Sequence, residues 1–276
     1  MFSIYNSSFN IISAGFDWKP VLTNWLSFLR GSGQIVIAVN KSEDDTAKVL
    51  RDFFKQWKFQ NPWSQTKTEV VDIDIPYTDP EFDGRGKAAA LEKCTEKFCI
   101  LLDLDEVLIP RQRRFWERLA QELEHSQYEA FLIPVVDLIE REDRYAKTGL
   151  KWYLHKNLPH ITRGVVKWAY REDGSIDKTK SDTCDAIHKE TRELVNAAAI
   201  MNTALPSFLL VGQMEGGEIP FVYHLGYLNL EQRLKRSEFW RPVWDNRDKH
   251  SSEAAKTMED LLAMPKYRHN LPSWRE

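Results

Sequence analysis

The sequence predicts an α/β fold with a mostly parallel central sheet flanked by helices, and three observations predict it. Through the first half of the chain, short apolar or β-branched runs alternate with segments whose apolar residues recur at helical spacing. The 276 residues, 42% hydrophobic and 12% aromatic, suffice for one sizeable core and argue against disorder. No internal repeat or low-complexity segment interrupts the alternation.

Taken in order, residues 9–13 read as a short apolar strand ending at Ala14 and Gly15. Trp18, Val21, Leu22, Trp25, Leu26 and Leu29 follow at helical spacing until Gly31. Residues 34–39 are a β-branched strand. The polar turn from Asn40 to Asp44 then supplies caps for a helix with Ala47, Leu50, Phe53, Phe54 and Trp57 on its apolar face. Residues 70–75 give a third strand, and residues 87–97 an Ala-rich helix. Residues 98–102 form an apolar strand that runs directly into Asp103-Leu104-Asp105-Glu106. Residues 111–125 are helical, with Phe115, Trp116, Leu119 and Leu123 on one face, and residues 128–139 form a long strand.

From 140 to 194 the chain is polar and turn-rich, which predicts a loop-dominated region with short strands. Residues 208–211 and 220–223 read as further short strands. Leu228, Leu234, Phe239 and Trp240, then Ala255, Met258, Leu261 and Leu262, read as C-terminal amphipathic helices.

The 38 basic and 41 acidic residues leave a net charge of −3, so there is no global attraction for nucleic acid or an anionic membrane, and an anionic ligand must be held by local charges. No apolar run is long enough to span a bilayer, and the N-terminus lacks the basic and apolar regions of a signal peptide; a cytoplasmic protein is expected. Cys94, Cys99 and Cys184 are odd in number and without Cys-x-x-Cys spacing. They fit a reducing compartment in which they act as small apolar residues.

The chemistry centres on Asp103, Asp105 and Glu106. In parallel sheets ligands gather at the carboxyl ends of strands, where this cluster sits. Two aspartates at i and i+2 leaving a strand suit one hard divalent cation, Mg²⁺ or Mn²⁺ rather than zinc, which also binds phosphate oxygens. Solvated or helix-capping acids are the commoner reading of Asp-x-Asp in a loop. Here apolar segments on both sides, residues 98–102 and 107–109, place three carboxylates between buried chain, where clustered like charge destabilises unless a cation offsets it.

The order β-α-β-α-β, then Gly86-Lys87-Ala88-Ala89-Ala90-Leu91, then Phe98-Cys99-Ile100-Leu101-Leu102-Asp103-Leu104-Asp105-Glu106, resembles the nucleotide-sugar glycosyltransferases of the GT-A type, family-two-like members especially. The resemblance covers about residues 8–140. It implies a GT-A-like (Rossmann-like) fold in a single domain spanning 1–276. In it, 1–140 would bind the nucleotide sugar, 141–227 would hold the acceptor and complete the metal site, and 228–276 would be C-terminal helices. It also implies that Asp103 and Asp105 hold Mn²⁺ or Mg²⁺ on the donor diphosphate, with Asp105 in the catalytic centre. Donor contacts would come from Ser13, Asn40, Asp74, Arg85, Lys87, Asp103 and Leu104. The acid usual at the start of the turn after the second strand is Asn40 in this chain. His224, in Tyr223-His224-Leu225-Gly226-Tyr227, matches a late histidine that serves as a metal ligand in many such enzymes; a hydrogen-bonded core histidine is the alternative.

An inverting transferase needs a base for the acceptor hydroxyl. Asp182, Asp185, His188 and Glu190 fall within nine residues, and Asp185 is the candidate, against a simply hydrated loop. Trp152, Tyr153, His155, His160, Arg163, Trp168 and Tyr170 interleave aromatic and polar groups as a saccharide acceptor site would, although core packing explains several equally well. The basic run Arg111 to Arg114 reads as a solvated helix start.

The leading functional expectation is a metal-dependent glycosyltransferase that moves a sugar from a nucleotide-diphosphate donor to a saccharide or other hydroxyl acceptor. One alternative is a haloacid-dehalogenase-like phosphatase with Asp103 as nucleophile. That motif usually lies on the first strand of its domain, whereas three strand-helix units precede it here. The other is a non-catalytic carbohydrate-binding module on a transferase-like fold.

Overall fold

A computed structural model describes residues 1–177, 180, 185–201, 207–216, 219–245 and 258–275. In chain order the elements are β1 (Phe2–Ser8), α1 (Trp18–Leu29), β2 (Gln34–Asn40), α2 (Thr46–Gln60), β3 (Lys67–Ile73), α3 (Phe82–Leu91), β4 (Phe98–Leu101), β5 (Glu106–Val107), α4 (Arg113–His125), β6 (Ala130–Ile139), β7 (Arg141–Lys156), β8 (Ile161–Gly164), β9 (Asp185–His188), β10 (Ala197–Ala199), α5 (Ser207–Gly216), β11 (Val222–Tyr227), α6 (Leu230–Asp245), α7 (Met258–Leu262) and β12 (Tyr267–Arg268).

The fold is α/β, a large mixed sheet with helices packed on it. Strand order is β3-β2-β1-β4-β7-β6-β11-β5, with β10 beside β6 and β12 beside β7; β8 and β9 pair as a separate two-stranded sheet. The pairs β3-β2, β2-β1 and β1-β4 are parallel. Antiparallel pairing enters with β7, which runs opposite to both β4 and β6.

The period-two alternation of the central strands sorts two cores. Phe2 and Ile4 of β1 and Ile35, Ile37 and Val39 of β2 face the large core that α1, α2 and α4 cover. Tyr5, Val36 and Ala38 face the opposite side with Ala90 and Leu91 of α3 and Ile161 of β8. With both faces covered, β2 is buried at every position, as its continuous apolar run requires. Gly86 lets α3 lie against β1: a Cβ there would come within 2.8 Å of the Ser7 Cβ.

Four element assignments differ from the sequence reading. The first strand is residues 2–8, while residues 11–15 form a turn with Asn10 at φ 47° just before it. The apolar side chains of Phe9 and Ile11 made that turn look like a strand, although both are simply buried under it. Helix α3 begins at Phe82, five residues early, because Phe82 packs on Phe9 and Tyr77. The polar stretch after residue 140 opens with β7, a 16-residue strand. It carries charges because much of its length alternates between covered and solvated positions. Residues 208–211 belong to α5, where the buried Leu210 and Met214 stand one turn apart; a four-residue apolar run fits either structure until its neighbours decide.

Among the described residues, no helix is long and apolar enough to cross a membrane. Cys94 and Cys99 are buried free thiols; Cys184, like Asp182 and Ala255, lies outside the described residues.

Candidate active site

Parallel pairing puts the loops after β1, β2, β3 and β4 on one edge of the sheet. Ser13, Asn40, Asp74 and Asp103 all lie in or beside those loops. The chain turns sharply after β4, with the Glu106 amide donating to the Asp103 carbonyl at 2.8 Å. Asp103 and Asp105 flank Leu104, which is buried in the large core. A donor could therefore meet Leu104 only through its backbone.

Each carboxylate of the cluster meets cationic or hydroxyl donors. Lys87 Nζ lies 2.8 Å from Asp103 Oδ1, and Lys151 Nζ 3.3 Å from Asp103 Oδ2. Burial alone would raise the Asp103 pKa, but the two ammonium groups outweigh it and hold the carboxyl well below its ordinary range. Glu106 is 1% exposed and accepts from the Tyr153 hydroxyl at 2.7 Å, from the Asp103 amide at 2.8 Å and from Lys151. Burial and the Asp103 charge raise its pKa in spite of Lys151. Glu106 thus fixes the turn and the position of Lys151.

Asp105 sits deeper. Its Oδ2 accepts from His224 Nε2 at 3.1 Å and from Arg236 at 2.8 Å. The other ring nitrogen of His224 donates to Asp137 Oδ1 at 2.7 Å. Burial opposes charge on this imidazole, yet the two carboxylates prevail and push its pKa well above the ordinary value. The same contacts, against burial, depress Asp105 and Asp137. His224 therefore stands as an imidazolium bridging two acids. Gly226 makes room for it: a Cβ there would approach the ring to 2.6 Å and Asp105 Oδ2 to 3.1 Å.

Asp103 and Asp105 offer carboxylate oxygens, the ligand type a hard divalent ion takes. His224 has no lone pair to offer while both of its nitrogens serve carboxylates, so it could join an ion only by releasing a proton. Lys87 and Lys151 supply positive charge beside Asp103, and Arg236 beside Asp105.

The other sequence candidates occupy varied settings. Asn40 is buried, receiving the Ile75 amide at 2.7 Å and donating to the Ile75 carbonyl at 2.9 Å. An amide both gives and takes there, as an ionised carboxylate cannot, which accounts for Asn40 where the resemblance leads one to expect an acid. Ser13 is exposed, and its amide donates to Asp44 at 2.9 Å. Asp74 is exposed, 3.9 Å from Lys41. Arg85 pairs with Asp79 and lines a cleft of about 380 Å³ with Glu81, Arg163, Tyr170 and Arg192; Lys87, two residues on, is the one that reaches the acids. Asp185 opens β9 opposite Gly164.

The aromatic and polar series of 152–170 divides among several places. Tyr153 serves Glu106, while Trp168 is 51% exposed. His155 is buried: its Nε2 accepts from Tyr5, whose oxygen accepts from Arg163 at 2.6 Å. Sequence reasoning missed Lys151, Arg236 and Asp137. Lys151 and Tyr153, two apart on a polar strand, were a usable signal for one shared face. Nothing in the sequence distinguishes Arg236 from other helix arginines.

No protein-family model matches the chain, and no curated protein matches it. Among solved structures, the chain is similar to S. aureus TarS 1-349, at 10% identity and a TM-score of 0.43, covering 92% of this chain and 67% of that one. The same TarS fragment in complex with UDP-GlcNAc is similar at 12% identity and a TM-score of 0.40, covering 92% and 68%. The inositol-1-phosphate CTP transferase from T. maritima follows at 12% identity and a TM-score of 0.32, covering 87% and 95%.

Proposed function

We propose that this chain is a glycosyltransferase that takes its sugar from a nucleotide-diphosphate donor, with the diphosphate bound at the Asp103–Asp105 centre. One observation carries the reading: just beyond the carboxyl end of β4, these two carboxylates are paired with Lys87, Lys151 and Arg236. Acids alone would suit a bare cation and bases alone a bare anion, whereas the mixture suits a diphosphate with its counter-ion.

In this reading Asp103 and Asp105 hold Mn²⁺ or Mg²⁺, which when bound would offset the charge of the departing diphosphate. Lys87 and Lys151 are placed to exchange Asp103 for phosphate oxygens as the donor enters, so their positive charge is already oriented when negative charge develops on the leaving group. Glu106 and Tyr153 keep Lys151 in place through that exchange. His224, clamped by Asp137, orients Asp105. Asp185 is the proposed base for the acceptor hydroxyl of a saccharide or glycoconjugate.

The test is a thermal-shift screen of UDP-, GDP-, CMP- and dTDP-sugars with and without Mn²⁺, since a ligand bound to the native state raises its stability by mass action. A rise for one donor that needs Mn²⁺ and disappears in Asp103→Asn supports the reading. A flat response to every donor, or metal-dependent phosphate release from simple phosphoesters, overturns it.

A further inference from the structure

A second cluster of metal-ligating side chains lies away from the acidic centre. Glu129 immediately precedes β6, whose residue Asp137 belongs to that centre; eight residues of strand put roughly 25 Å between them. Around Glu129 converge His160, just before β8, and His188, the last residue of β9. His160 Nε2 is 2.7 Å from Glu129 Oε1, and His188 Nε2 is 2.7 Å from Glu129 Oε2. One ligand atom from each of the three lies within 4.8 Å of the others, and among the described residues no other group of three does so.

The backbone holds this arrangement in place. The Lys156 amide donates to the Glu129 carbonyl at 2.8 Å, the Lys189 amide to the His160 carbonyl at 2.7 Å, and the His188 amide to the Glu193 carbonyl at 2.9 Å. The carboxylate is held as well, by the Asn196 amide at 2.9 Å from Oε2. The side chain of Glu129 is 16% exposed and that of His160 50%, which leaves an open side toward solvent.

We propose that Glu129, His160 and His188 bind Zn²⁺, with a fourth position left to water or an external ligand. Two imidazoles and one carboxylate suit Zn²⁺, whereas Mg²⁺ and Ca²⁺ prefer oxygen ligands throughout. Bonds of about 2.0–2.2 Å in tetrahedral geometry set the ligand atoms roughly 3.3 Å apart. The two His–Glu contacts, which go to different carboxylate oxygens, must open by about half an ångström, and the ligand atoms as a set, now within 4.8 Å of one another, must settle at that spacing around the ion. On binding, each Nε2 gives up the proton it now shares with Glu129, either to its own Nδ1 or to solvent, and presents its lone pair to the ion. The ion would join the start of β6 to both strands of the β8–β9 sheet and so fasten the small sheet to the large one.

The experiment is calorimetric titration of Zn²⁺ into the untagged, metal-stripped chain, with melting temperature read in parallel. One ion per chain and a rise in melting temperature are expected. His188→Gln and Glu129→Gln should weaken binding by more than the roughly 10–100-fold typical of an outer-shell change, and should remove the rise. His160→Gln, on the more exposed ligand, separates loss of metal from loss of fold. The Asp103→Asn/Asp105→Asn double variant should bind Zn²⁺ as the parent chain does. No saturable binding, or binding unchanged in His188→Gln and His160→Gln, overturns the proposal.

Discussion

The two halves of the acidic centre differ in origin. Asp103, Asp105 and Glu106 come from the parallel first half, announced by an apolar strand. Lys151, Tyr153, Asp137, His224 and Arg236, which hold them, come from the antiparallel strands and the late helix. The first half builds the edge and supplies Lys87, and the second brings Lys151, His224 and Arg236; together these charges make it tolerable to place three acids there. An acid pair close in sequence is thus only part of a site; its electrostatic character also depends on residues 45 to 131 positions away.

The largest effect should come from removing the acids of the first half. Asp103→Asn and Asp105→Asn should each lower sugar transfer by at least about a hundredfold, in the range lost when a main electrostatic contact to the transition state is deleted. Unfolding should stay cooperative. Transfer within a few-fold of the parent chain for either variant would remove the acids from the chemistry.

The contribution of the second half is tested through stability. Lys151→Met strands the buried Glu106 carboxylate beside Asp103. A loss of about 3 kcal/mol in urea unfolding is expected, at the low end for a broken buried pair because the Lys151 side chain is 46% exposed and part of its charge is screened. Adding Glu106→Gln should recover part of it. An unchanged midpoint in the single variant would mean that the turn does not need this lysine.

A smaller effect should come from His155, where the halves meet away from the acids. Burial first, then the Arg163 charge, pull its pKa down to about 3. Above pH 6.5 the ring is neutral both folded and unfolded. As pH falls below that, only the unfolded chain takes up the proton, so stability declines until pH approaches 3. Between pH 7 and pH 5 this amounts to about 2 kcal/mol. His155→Gln should flatten that part of the profile, measured by urea unfolding at the two pH values, and a parallel profile would show that His155 is not the titrating group.

The sequence by itself determined the α/β class, the buried strand β4 and the acid cluster at its end, because a strand covered on both faces must be apolar throughout and charges at its exit stand out. The catalytic and donor assignments of Asp185, Ser13 and Asp74 came from pattern alone. The tertiary structure decided what pattern could not: that β7 is a strand, since a half-solvated strand can be as polar as a loop, and that Lys87 rather than Arg85 turns toward Asp103. It also brought His160 and His188 to Glu129 across 31 and 59 positions of chain. Local composition records which surfaces a segment can bury. Which distant charges come to face one another depends on how the sheets are ordered, and that information is spread over the whole chain.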